Sequence, residues 1–386
     1  MADTCDLVVV GLGALGSSTA WHGARRGLSV IGLERFELGH ERGASHDSSR
    51  ILRHSYHTPG YVDLTFLAYD DWADLEDATG ETFVTVTGGL DLFPADAVIA
   101  IDDYTSSMAA RGVRHEVLGT DEVAARYPQL ALPDGTRALF QERTAIVPAA
   151  RGTAAMQRRA VAHGAVLRDR TTVRAIRPAA DSVEIVTDDG IVSAAHVVVC
   201  ADAWTASLVE PLGVRLPLTV TEEQVTYYAP GDPEAFRPGR FPVWIWMDEP
   251  SFYGFPTYGE DTIKAAQDCG GPVVTGDTRS FEVDSAMLDR LSGFMRRTFP
   301  ASGPAVRSKR CLYTLTPDRD FVVSRVPTAP QVTIGLGSAH GYKFAATFGR
   351  LLTDVATTGG TSADVSAFGL DRPGLTDPTY RPNWLV

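Results

Sequence analysis

Near the start of the chain, a β-branched run at residues 7–10 leads into Gly11-Leu12-Gly13-Ala14-Leu15-Gly16. A short apolar run of this kind reads as a buried parallel strand. Gly11 permits the tight turn after it. Gly13 lets the backbone approach a pyrophosphate, and Gly16 lets the next helix pack close to the strand. That helix is expected over residues 14–26, with its first N–H groups facing phosphates and Gly27 as its stop. A second strand follows at 29–33, and Glu34 at its end sits where a carboxylate accepts both ribose hydroxyls. A glycine triplet alone is weak evidence. Strand, triplet, helix, strand and acid in this order make a dinucleotide site. Glu34 also argues against a 2′-phosphate, which it would repel.

This pattern does not by itself separate NAD from FAD. Its N-terminal position leans towards FAD, as in flavoproteins of the glutathione-reductase type, and no second fingerprint for a nicotinamide cofactor is found. Residues 335–341 are rich in glycine but lack a following acid at the right distance. They read as a loop that returns to the flavin, with Gly337 and Gly341 as cofactor candidates. Ser45, in the irregular stretch 39–49, and Val173, in a strand expected at 172–176, join them.

A chain of 386 residues that is 44% hydrophobic supports two domains with a large core. A formal net charge of −13 disfavours nucleic acid and anionic membrane surfaces as partners. The four cysteines show no CxxC spacing and no histidine partners at zinc spacing, so neither a structural metal nor a disulfide framework is expected. No signal-peptide pattern is seen, and no apolar run approaches the ~18 residues of a membrane span. A cytoplasmic monomer is the expectation.

The organisation is interleaved. Helices are expected at 61–78, 121–127, 148–164, 285–298 and 344–357, and strands at 84–93, 111–116, 166–168, 183–187 and 191–194. Asp188-Asp189-Gly190 signals a hairpin between the last two. Residues 196–200 read as a separate buried strand that rejoins the dinucleotide sheet. Residues 1–82, 145–215 and 309–386 are expected to form the dinucleotide-binding domain, and 83–144 and 216–308 a substrate domain.

Far along the chain comes a second constellation: Lys309-Arg310-Cys311-Leu312-Tyr313-Thr314, then His340-Gly341-Tyr342-Lys343-Phe344. With the N-terminal fingerprint, Ser49-Arg50-Ile51-Leu52-Arg53-His54-Ser55-Tyr56, and Tyr253-Gly254-Phe255-Pro256 followed by Lys264, these segments carry a resemblance over nearly the whole length. The chain resembles the monomeric sarcosine oxidase and N-methyltryptophan oxidase group of D-amino-acid-oxidase-like flavoproteins. The resemblance implies a mixed α/β fold: a Rossmann-like FAD-binding domain of glutathione-reductase type with an interleaved antiparallel-sheet substrate domain.

It also implies roles. Cys311 would carry FAD as a thioether to the 8α-methyl; its neighbours Lys309 and Arg310 would favour the thiolate, and the plain alternative is a buried structural cysteine. Lys264 would be a fixed cation stabilising negative charge that develops on O₂; otherwise it is a surface lysine on a strand. Arg53 and Lys343 would hold a substrate carboxylate so that the α-C–H points at the flavin, with Arg50 in the flavin's surroundings. Tyr253 and Tyr313 would line the pocket, or else be ordinary core tyrosines. The sarcosine oxidases have a histidine four residues after the lysine; here Asp268 stands there. It would bind a cationic amine, pair with an arginine, or point away. The bulky run Trp244-Ile245-Trp246-Met247 is either core or a wall for a ring-bearing amine. The implied activity is oxidation of a secondary or cyclic amino acid to an imine, with O₂ reduced to H₂O₂. The alternatives are a flavin dehydrogenase using another acceptor and a flavin-binding subunit without turnover.

Overall fold

A computed structural model describes residues 3–384. Strand Asp3–Val10 sits at the centre of an eight-stranded sheet, parallel to Val30–Leu33 on one side and to Gly190–Val199 on the other. The last four residues of Asp3–Val10 are buried, as a strand covered on both faces requires. Helix Ala14–Arg25 lies over it. A Cβ on Gly16 would fall 1.8 Å from the Gly11 carbonyl oxygen, so only glycine lets the helix come this close. Val166–Arg168 extends the sheet beyond Val30–Leu33, and Ala329–Leu336 runs parallel to Gly190–Val199.

The Asp188-Asp189-Gly190 hairpin forms as expected, between Val183–Thr187 and Gly190–Val199, with Gly190 at φ +135°. The two strands expected at 191–194 and 196–200 are one. Gly190–Val199 pairs antiparallel with its hairpin partner near its start and remains parallel to Asp3–Val10 throughout. No turn residue interrupts it, so nothing breaks the run.

A nine-stranded, mainly antiparallel sheet forms the other half. Its longest pair, at one end of the sheet, is Thr219–Tyr228 against Ala305–Leu315. The expected division at residue 309 therefore falls inside a strand, because Ala305–Leu315 pairs along its length with the substrate-side sheet. The expected strand at 84–93 is two, Thr85–Val86 and Gly89–Phe93, separated by Gly88 at φ +70°. The expected strand at 111–116 is a turn after helix Ile101–Ala110, and the strand itself is Glu116–Leu118. A three-stranded sheet of Arg50–Leu52, Ala145–Val147 and Thr85–Val86 joins the halves. Among the described residues no helix is long and apolar enough to cross a membrane.

Candidate active site

One cavity of about 570 Å³ runs from the glycine turn, at the C-terminal ends of the parallel strands, to the face of the antiparallel sheet. This is where open α/β sheets bind ligands. Its two ends are built differently.

At the dinucleotide end the work is done largely by backbone. Gly11 has φ +87°, and a Cβ there would lie 2.5 Å from the Cys200 carbonyl oxygen. Glu34 accepts hydrogen bonds from the backbone N–H of Leu12 at 2.8 Å and of Phe36 at 3.1 Å, and its other close neighbour is His40 Nε2 at 3.3 Å. Burial pushes its pKa up, but the His40, Leu12 and Phe36 hydrogen bonds outweigh this and hold it below the usual value. The carboxylate is thus fixed and ionised at the end of its strand. Ser45 Oγ accepts from the Ala14 N–H at 2.9 Å, capping the fingerprint helix from a distant loop, and lies 3.1 Å from where a Cβ on Gly13 would be. Gln157, which sequence reasoning missed, donates to the Leu12 carbonyl at 3.0 Å. Val173, Gly337 and Gly341 also line the cavity.

Midway, Cys311 is buried and faces the cavity. Burial pushes its thiol up to about 11, and Arg50 draws it down. The expectation that Lys309 and Arg310 supply the nearby charge is corrected here. Lys309 reaches out to Glu41 at 2.9 Å, and Arg310 donates to the Glu222 carbonyl at 2.9 Å on the far side of the strand. The cations acting on Cys311 are Arg50 and Arg279. Arg50 itself donates to the carbonyls of Ala44, His46 and Ser49 at 2.8–3.0 Å, tying the 44–49 loop into place. His46 in that loop was missed. It is 4% exposed, lines the cavity, and among the described residues has no hydrogen-bond partner for either ring nitrogen. Burial, with Arg50, lowers its pKa to about 4. A buried imidazole with both nitrogens unmet fits a site completed by a polar group in the cavity.

Lys264 does not line the cavity. Its Nζ donates to Asp47 Oδ2 at 3.1 Å and to the Ser49 carbonyl at 2.9 Å, above the Phe255 ring. Asp47, Arg50 and Phe255 form the wall in front of it. Burial lowers its pKa to about 8, against the pull of Asp47.

At the other end Arg53, Tyr253, Tyr313, Asp268 and Lys343 do converge on the cavity. Arg53 is already paired with Asp91 at 3.2 Å, and the Tyr56 ring lies 4.9 Å from its guanidinium carbon. Asp91 was missed, although an acid inside the apolar strand Gly89–Phe93 is a signal in itself. Lys343 Nζ donates to the His340 carbonyl at 2.8 Å, and burial with the nearby Arg53 and Arg319 pulls its pKa well below normal. The Tyr253 and Tyr313 hydroxyls are 3.2 Å apart. Of the three possibilities for Asp268, the structure has the ion pair: Arg319 grips both carboxylate oxygens at 2.8 Å. The Trp244–Met247 run divides by strand alternation. Trp244 packs into the core against Phe299, with ring centroids 4.4 Å apart, and Trp246 against Phe294. Ile245 faces the cavity with its strand partner Tyr253. Of the two alternatives for this run, both tryptophans take the core, and the run presents an aliphatic side chain to the cavity.

A fixed acid at the end of the second strand, a glycine turn open to a pyrophosphate and a long cavity reaching a second sheet define a dinucleotide-dependent oxidoreductase. A sequence profile of the family described as DAO, FAD dependent oxidoreductase, matches residues 6–355, and the chain belongs to this family. It is 33% identical to the monomeric sarcosine oxidase of Streptomyces avermitilis over 95% of this chain and 97% of that one. It is 26% identical to the N-methyl-L-tryptophan oxidase of Yersinia pestis over 95% of this chain and 99% of that one. Among solved structures, the open form of NikD, described as an unusual amino acid oxidase essential for nikkomycin biosynthesis, superposes with a TM-score of 0.87 at 29% identity. That match covers 95% of this chain and 98% of NikD. The mixed α/β fold expected from the sequence is the one observed, and FAD is the cofactor class.

Proposed function

We propose that the protein oxidises the C–N unit of a secondary or cyclic amino acid to an imine. The observation that carries this reading is the convergence of Arg53, Lys343, Tyr253 and Tyr313 on the far end of the cavity that begins at the glycine turn. The redox chemistry, hydride acceptance from the substrate and two-electron reduction of O₂ to H₂O₂, would be supplied by FAD when bound. The chain's residues bind and orient. Glu34, Gly11, Gly13, Ser45, Val173, Gly337 and Gly341 would hold the dinucleotide, with Arg50 and Lys343 near the flavin end, and Gly16 would act from behind the turn by letting the helix pack close. Arg53 and Lys343 would share the substrate carboxylate, and the two tyrosines would flank the reacting carbon. Lys264 would act on O₂ from behind Arg50 and Asp47. Cys311 would form the covalent link; Arg50 beside it favours the thiolate that attachment needs.

The interleaved halves divide the labour, with the parallel sheet under the dinucleotide and the antiparallel sheet over the substrate. A monomer in the cytoplasm completes the proposal.

The test is anaerobic flavin reduction across N-methyl amino acids, proline, pipecolate and cyclic imines. Bleaching by one of these classes is expected. If none bleaches the flavin, the reading fails in favour of a flavin-binding subunit. Turnover that needs an artificial acceptor in place of O₂ would make it a dehydrogenase. Acid precipitation tests the link: flavin should stay with the pellet.

A further inference from the structure

We propose that Arg319 is a positioning residue that sets the protonation state in which the amine is bound, by withholding Asp268 from the substrate's ammonium. This rests on the amine-oxidation reading.

Hydride leaves the α-carbon as the nitrogen lone pair forms the C=N bond. An ammonium has no lone pair, so R–NH₂⁺–CHR′₂ must first release its proton to water, after which R–NH–CHR′₂ yields hydride to the oxidant and becomes R–NH⁺=CR′₂. A bare carboxylate beside the nitrogen would oppose that release, since an opposite charge at contact moves a pKa by about 1–3 units. Asp268 lines this end of the cavity and Asp91 lies behind Arg53, and each carboxylate is met by an arginine. Arg319 engages both oxygens of Asp268 in a fork, at 2.8 Å each. It is almost fully buried, and it also donates to the Trp384 carbonyl.

The backbone supports the same reading. Arg319 has φ +60°, a region few non-glycine residues occupy, in a turn closed by its own N–H to the Thr316 carbonyl at 3.1 Å. The turn is braced by Asp318, whose carboxylate is held by Arg372. Strain of this sort persists where surrounding structure imposes it. Here it aims a guanidinium at one carboxylate of the cavity wall.

Other charged and titratable groups act on the pair. Cys269 Sγ lies 3.9 Å from Asp268, and burial raises its pKa. Glu223, Tyr253 and Tyr313 interact with Asp268, and all three are raised by burial. Around Arg319, His340 is pushed well below its normal value and Tyr56 and Tyr104 are raised. Arg53 is a permanent cation, and Lys343 titrates below its usual range. With Asp91 and Asp268 both neutralised, the end of the cavity repels an ammonium and admits a free base.

The experiment titrates ligand binding to the flavin-loaded protein, anaerobically, by the flavin absorbance change. The probes are L-pipecolate and its ring-oxygen analogue tetrahydropyran-2-carboxylate, which has no titrating nitrogen. Pipecolate affinity should rise about tenfold per pH unit below its amine pKa, while the oxygen analogue shows no such slope. Arg319→Met should flatten the pipecolate slope and raise the pipecolate-to-analogue affinity ratio at pH 7 by about tenfold or more. Asp268→Asn should keep the slope, and the double variant should restore it. Arg319→Lys keeps a cation without the fork and should fall between; it carries the test if Arg319→Met loses its flavin. A purely structural role would move both probes together and leave the slope alone, which overturns the proposal. So does a wild-type protein that binds the ammonium as well as the free base. Failure of both probes to bind any variant strikes instead at the amino-acid reading beneath it.

Discussion

The two ends of the cavity show two ways of making a site. The dinucleotide end is local: its turn, helix, strand and acid lie within residues 3–34, and its contacts are mostly backbone N–H and C=O groups. The other end gathers Arg53, Tyr253, Asp268, Arg319 and Lys343 from separate parts of the chain, and both of its arginines are paired with an acid, Arg53 with Asp91 and Arg319 with Asp268. Backbone geometry tolerates no change in shape. A set of pre-paired side chains tolerates substitution but changes what it recognises. The first design suits a constant ligand, and the second suits a site whose selectivity can be tuned.

The sharpest way to break this contrast is at the glycine turn. In Gly16→Ala the new methyl would sit 1.8 Å from the Gly11 carbonyl oxygen, and both atoms belong to packed elements. The helix must move off the strand, at a cost of about 3 kcal/mol. The expected product is destabilised and free of flavin, read by absorbance and by denaturant unfolding. A yellow protein of unchanged stability would show that the turn has slack.

Lys264→Met comes next. Losing a fixed cation beside developing charge slows reoxidation by O₂ on the order of 10²-fold, with reduction by substrate much less affected. Stopped-flow measurement of the two half-reactions separates them. Because Lys264 is held by Asp47 and the Ser49 carbonyl, equal small effects would mean that it serves only to anchor the 47–50 loop.

Arg53→Met probes the other end. A charge-assisted hydrogen bond contributes about 1.5–3 kcal/mol, so affinity for carboxylate inhibitors should fall by about one to two powers of ten while flavin stays bound. The effect should not add to that of Lys343→Met if both act on one carboxylate. Titration of an inert carboxylate against the singles and the double decides this; full additivity separates their roles.

The contrast also explains what could be read in advance. The dinucleotide end was legible because its physics is local: each glycine has a steric reason within a few residues, and Glu34 is at a fixed distance. The helices at 59–79, 149–162 and 285–298 were legible from their periodicity. At the amine end the residue types were legible, through resemblance, but their partners were not. Nothing near Asp268 announces Arg319, fifty-one positions on, and nothing near Arg53 announces Asp91. The source of charge at Cys311 was misjudged for a related reason. Adjacent residues on a strand point to opposite faces, so Arg310 lies across the sheet from its neighbour, while Arg50 arrives from another segment.

Strand alternation gives the smallest test. Ile245 faces the cavity, whereas Trp244 lies against Phe299 and over Gly254, where a Cβ would come within 2.4 Å of its ring. Ile245→Val removes one methylene from the wall. If a ring-bearing ligand touches it, the loss is about 0.8 kcal/mol, or roughly fourfold in Kd. The effect should fall on cyclic carboxylates such as pyrrole-2-carboxylate and spare small linear ones. Trp244→Phe should do the reverse, lowering stability by about 1–3 kcal/mol as a cavity opens in the core while leaving the ratio of cyclic to linear affinity unchanged. Titrating both ligands against both variants, beside a denaturation curve for each, gives the answer. A shifted ratio in Trp244→Phe with none in Ile245→Val would return the tryptophan to the substrate wall.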